Sequence, residues 1–203
     1  MRMNLPNQIT TGRFLLSLVV LGLLARFELS HRDEQLWLLE AAFWLFIVCA
    51  LGDILDGYLA RRQNQVTSFG RILDPFADKI LVCGAFILLL GRGYVDGDGR
   101  NVTGLSAWMV VIIVARELLV SSLRGFSEAA GKPYGANYWG KTKMLVQCVT
   151  VPLIIRTVGP WRDVEWAIAW RTFMIWGTVI VTALSVGSYL AASRKALMEQ
   201  SRG

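Results

Sequence analysis

The chain has 203 residues, 54% hydrophobic, with one histidine, three cysteines and a net charge of +6. The lone histidine, His31, excludes a histidine-based metal site, and Cys49, Cys83 and Cys148 all lie in apolar stretches, which argues against a disulfide framework. The apolar residues gather in six blocks centred near Leu18, Trp44, Gly84, Ile112, Val149 and Val179, each close to the roughly 20 residues that a membrane-crossing helix needs. Short connections join them, so residues 1–203 read as one all-α domain: a polytopic membrane protein with six transmembrane helices.

The first block follows Arg2 and Arg13, as a signal peptide would, but ARFELSHRDE after it offers no small-residue cleavage site. It reads as a retained span. The second block, LWLLEAAFWLFIVCAL, closes in GDILDGYLARR, residues 52–62, and the third opens with SFGRILDPFADK. The fourth carries Arg116 and Glu117 inside WMVVIIVARELLVSSLR; an intramembrane arginine points to a functional site or to an interhelical ion pair. Before the fifth block, GANYWGKT matches the G-x4-G-K-[ST] pattern of phosphate-binding loops. No buried strand precedes it, so it is not one; Gly140, Lys141 and Lys143 instead open a helix, whose N-terminus favours anions.

Basic residues alternate with the blocks. Arg61, Arg62 and Arg71 separate spans two and three, Arg124, Lys132, Lys141 and Lys143 separate four and five, and Arg194, Lys195 and Arg202 follow six. The other connections are mixed or slightly acidic. Basic loops stay in the cytoplasm, which places both termini there. The excess charge reads as orientation and attraction to anionic lipid or phosphate, with no nucleic-acid patch.

The acidic residues carry the chemistry. Asp53, Asp56, Gly57, Ala60 and Arg61 fall on one helix face within an arc of roughly 140°. Gly70, Asp74 and Asp78 follow, the last two four apart at the start of span three. The short connection QNQVTSFG predicts an antiparallel hairpin that brings the four carboxylates together. Like charges this close cannot all stay ionised in a low dielectric without compensation. Arg61 and Lys79 offset part of it, and oxygen-only donors suit Mg²⁺, Mn²⁺ or Ca²⁺. Two such ions clamp attacking and leaving oxygens in phosphoryl transfer. Gly57 and Ala60 leave room for a phosphate, and Arg61 can grip a diphosphate with two donors. The alternatives are interhelical salt bridges or a water-lined cation path, the latter implying a divalent-cation transporter.

D-x2-D-G-x2-A-R-x8-G-x3-D-x3-D, filled here at every position from Asp53 to Asp78, resembles the signature of the CDP-alcohol phosphatidyltransferases. The likeness runs from Asn4 to about Gln147 and includes the six spans. It implies displacement of CMP from a CDP-linked lipid by an alcohol, with two bound Mg²⁺ or Mn²⁺ ions, a homodimer, and an active site on the cytoplasmic side of a bacterial-type inner membrane. By position, it implies Asp53, Asp56 and Asp74 as metal ligands, with Asp78 as general base and second-metal ligand. It implies that Gly57, Ala60, Arg61, Thr67 and Gly70 hold the cytidine diphosphate, with Pro6 and Asn7 of NLPNQIT near the nucleotide.

The acceptor is read from elsewhere. Arg116, Arg124, Lys141 and Lys143 supply more positive charge than one diphosphate requires, which suits a phosphorylated acceptor. AREL-x-VSSLR and WGK-x-K-x3-Q resemble the phosphatidylglycerophosphate-forming branch, which uses CDP-diacylglycerol and sn-glycerol 3-phosphate; Met144 departs from its pattern. Inositol phosphate, or phosphatidylglycerol in a cardiolipin-forming reaction, are the other acceptors this chemistry accommodates.

Overall fold

The computed structural model describes residues 5–63, 68–129 and 138–200; side chains are described outside 5–9, 53–75, 126–141 apart from Gly140, and 188–200. The described residues form α1 (Leu5–Arg26), α2 (Arg32–Gln63), α3 (Ser68–Leu89), α4 (Ala107–Ala129), α5 (Tyr138–Val158) and α6 (Glu165–Gln200). Each contains one of the six apolar block centres. Among the described residues, two stretches, Leu29–Gly52 and Glu165–Gly187, are long and apolar enough to cross a bilayer by length and composition.

Two helices outrun their apolar blocks. α2 has 32 residues, about 48 Å at 1.5 Å per residue, and α6 has 36, about 54 Å. Both exceed the ~30 Å hydrocarbon core. Asp53–Arg61 therefore ride on a continuous helical extension, and the connection to α3 is shorter than QNQVTSFG suggests. Apolar blocks end where polar residues begin, but helical hydrogen bonding does not stop there, and Leu, Ala, Arg and Gln in this stretch all favour helix.

Among the described residues α1 packs against both α2 and α3 and is the principal neighbour of each. Gly84 permits this: a Cβ there would lie 2.8 Å from the Leu21 side chain of α1. α5 and α6 form the other major pair, and α4 lies against α6. The core joins Val20, Leu24, Phe46, Phe86, Ile113, Ile154 and their neighbours. Large apolar side chains also cover the outside, including Val111 at 63%, Leu145 at 67% and Phe173 at 64% exposure. That apolar exterior suits a hydrocarbon solvent.

At one end the loops are tightly held. Tyr94 is buried and its hydroxyl donates to the Leu24 carbonyl at 2.9 Å. Gly93 passes so close to α1 that a Cβ would overlap the Phe27 carbonyl oxygen. Arg32 donates to the Val158 and Gly159 carbonyls, closing the C-terminal end of α5. Arg156 pairs with Glu40 and stacks over the Phe43 ring, 4.0 Å from its centroid. These contacts fix the end opposite the acidic motif.

Candidate active site

The first half of α3 delivers Asp78 to the bundle interior. Its Oδ1 accepts from Arg13 Nη2 of α1 at 2.8 Å, with the aspartate side chain 25% exposed. Arg13 also lies against α2, where a Cβ built on Gly52 would be 3.2 Å from its Cδ. The residue after Gly52 is Asp53. One arginine of α1 thus touches both helices that bear the acidic motif. Sequence reading missed this role: Arg13 looked like flanking charge, and nothing in its spacing ties it to a residue 65 positions away.

Asp53 and Asp56 belong to α2 and Asp74 to α3; their side chains lie outside the described residues. So do those of Pro6, Asn7, Gly57, Ala60, Arg61, Gly70 and Lys141, while Thr67 lies outside altogether. Of the expected metal ligands, the structure therefore describes Asp78, an oxygen donor of the kind that hard divalent ions take.

Asp78 opens onto a cavity of about 160 Å³ between α3, α4 and α5. Helical stripes line it: Asp78, Lys79, Val82 and Cys83 from α3, and Arg116, Glu117, Val120, Ser121 and Arg124 from α4. Gly140, Lys143, Met144 and Gln147 come from α5. Positions i, i+3, i+4 and i+7 of α4 and of α5 face inward together, and α3 adds two i, i+4 pairs. Three of the four residues expected to bind the acceptor, Arg116, Arg124 and Lys143, share this cavity with Asp78.

The deepest charges are paired. Arg116 Nη1 donates to Glu117 Oε1 at 3.1 Å, Lys143 Nζ donates to the same oxygen, and Arg116 Nε donates to Ser185 Oγ of α6 at 2.8 Å. All three charged side chains are buried. The ion-pair reading of Arg116 and Glu117 is thus realised, with Lys143 from α5 as the interhelical partner. Two cationic side chains thus share one buried carboxylate beside the cavity. GANYWGKT is no phosphate loop: α5 begins at Tyr138, so Gly140 and Lys141 sit in its first turn, and no strand occurs among the described residues.

Comparison with known proteins identifies the family. Residues 3–184 match the CDP-alcohol phosphatidyltransferase family profile. A Bacillus subtilis (strain 168) protein named CDP-diacylglycerol–glycerol-3-phosphate 3-phosphatidyltransferase is 34% identical over 199 residues, covering 96% of this chain and 97% of its own. An Escherichia coli (strain K12) protein of the same name is 30% identical over 206 residues, covering 98% and 100%. With a profile match over most of its length and relatives alike from end to end, the chain belongs to the CDP-alcohol phosphatidyltransferase family.

Proposed function

We propose that this protein transfers the phosphatidyl group of CDP-diacylglycerol to sn-glycerol 3-phosphate, giving phosphatidylglycerophosphate and CMP. The observation that carries this reading is the shared cavity, which the carboxylate of Asp78 lines together with the basic side chains of Arg116, Arg124 and Lys143. A phosphorylated acceptor fits that pairing, because its phosphate would meet the cations while its hydroxyl meets the carboxylate. The relatives' names support the same substrates.

In this reading the acceptor hydroxyl passes its proton to Asp78 and its oxygen bonds to the lipid-side phosphorus. The bond between that phosphorus and the CMP oxygen breaks. Arg116, Arg124, Lys141 and Lys143 hold the acceptor phosphate. Gly57, Ala60, Arg61, Thr67 and Gly70, with Pro6 and Asn7, hold the cytidine diphosphate. Arg13 keeps Asp78 oriented. Asp53, Asp56, Asp74 and Asp78 would hold two Mg²⁺ or Mn²⁺ ions, which when bound neutralise charge on the diphosphate. The oxygen-only donor set suits such ions.

The same reading gives six spans, both termini in the cytoplasm and the cavity opening towards it from the inner membrane. The alternation of basic loops supports this. A homodimer follows from the resemblance.

The decisive experiment measures CMP release by purified protein with sn-glycerol 3-phosphate, inositol phosphate and phosphatidylglycerol offered separately. Release with the first is expected. Release with only another acceptor overturns the substrate assignment; no release, with divalent-metal flux into vesicles, overturns phosphatidyl transfer itself. Asp78→Asn should abolish turnover while largely sparing CDP-diacylglycerol binding, and retained turnover would exclude Asp78 as the base.

A further inference from the structure

The acceptor proposed above has three polar groups: a phosphate, a primary hydroxyl that reacts, and a secondary hydroxyl on the middle carbon. Cationic side chains serve the first and Asp78 the second. The third is neutral, both a donor and an acceptor of hydrogen bonds, and needs a partner of the same character. Among the described residues, one neutral carboxamide lines the cavity.

Gln147 of α5 is 1% exposed and lines the cavity. It lies one turn beyond Lys143 on the same face of α5, the i, i+4 relation. Its Nε2 is fully enclosed and has no hydrogen-bond partner among the described residues. Leaving a buried amide donor unmatched is costly, so a site that keeps one must recover the cost from something that enters. A carboxamide presents a donor and an acceptor side by side, and half a turn exchanges them. A charged phosphate would favour a cation here, and an acyl chain would favour a leucine.

Resting on the transferase reading above, we infer that Gln147 reads the middle-carbon hydroxyl of the acceptor and sets the preference for a vicinal diol phosphate. The carboxamide bonds that hydroxyl while Lys143, one turn away, faces the phosphate. The bond also fixes which hydroxyl is free to meet Asp78, because binding the secondary hydroxyl leaves the primary one exposed.

The test compares sn-glycerol 3-phosphate with 3-hydroxypropyl phosphate, which keeps the phosphate and primary hydroxyl but lacks the middle one. Wild-type protein should prefer the first by about tenfold or more in kcat/KM. Gln147→Met, close in volume and without hydrogen-bonding groups, should lose about tenfold with sn-glycerol 3-phosphate and stay within about twofold with 3-hydroxypropyl phosphate. The KM for CDP-diacylglycerol should not move, which also reports an intact fold. Equal losses with both acceptors would show that Gln147 only supports packing, and overturn the inference. So would a wild-type protein indifferent to the missing hydroxyl, a result needing no variant. Absence of CMP release by wild-type protein with sn-glycerol 3-phosphate overturns the transferase reading and this inference together; normal release with no change in discrimination overturns the inference alone.

Discussion

Arg13 shows how one side chain can organise a site it does not belong to by motif. It bonds Asp78 on α3 and packs beside Gly52 on α2, so it sets the distance between the two acid-bearing helices and the angle of the proposed base. Arg13→Met should lower kcat by about a hundredfold, the scale expected when a reacting group is displaced by around 1 Å. The KM for CDP-diacylglycerol should shift much less, and Arg13→Lys should restore part of the loss. Unchanged kcat in the methionine variant would remove Arg13 from the mechanism. Asp78 was legible as a candidate because helical periodicity relates residues three and four apart, and it does line the cavity. The arginine was not legible, because its partner is set by tertiary packing alone.

At the scale of elements, the contacts divide into those that hold helices and those that hold loops. Glu117 on α4 joins Arg116 to Lys143 of α5. Glu117→Gln leaves two buried cations together and should cost about 3 kcal/mol. Lys143→Met leaves Arg116 and Glu117 a balanced pair; it should cost clearly less and raise the KM for the acceptor instead. Thermal unfolding in detergent separates the two, and equal losses would contradict the three-charge arrangement. At the far end, Tyr94→Phe removes a buried hydrogen bond and should cost about 1 kcal/mol without changing kcat. Burial pushes the Tyr94 phenol up, so the folded chain keeps its proton longer than the unfolded one. Its contribution is intact below the ordinary tyrosine value near 10 and is lost as pH rises beyond it. Alkaline denaturation of wild type and Tyr94→Phe should therefore converge. The positions of all six helices could be read from hydropathy. The reach of α2 and α6 beyond their apolar blocks could not, because helix propensity and membrane residence obey different physics there.

Across the whole molecule the two ends contrast. Trp37, Trp108, Trp166 and Trp170 are exposed in the opening turns of α2, α4 and α6, an aromatic belt of the kind found at a membrane–water interface. The cavity lies towards the opposite end, where α3 and α5 begin. In a cysteine-free background, a membrane-impermeant thiol reagent should label Asp98→Cys in intact cells but Glu128→Cys only after permeabilisation. The reverse pattern would invert the proposed orientation. Charge alternation in the loops supports the proposed orientation; the insertion of α1 beside both acid-bearing helices was not legible, since every apolar helix has a face that could serve.

The cavity draws Asp78 and Lys79 from α3 but its remaining charged groups from α4 and α5. On the proposed reading, donor motif and acceptor pocket thus occupy separate stretches of chain that meet at one carboxylate. Such a layout can be inherited in parts. Changes confined to residues 116–147 could exchange one alcohol for another while leaving the machinery that cleaves the CDP-lipid untouched, so a single scaffold can diversify a membrane's headgroups without reinventing the reaction.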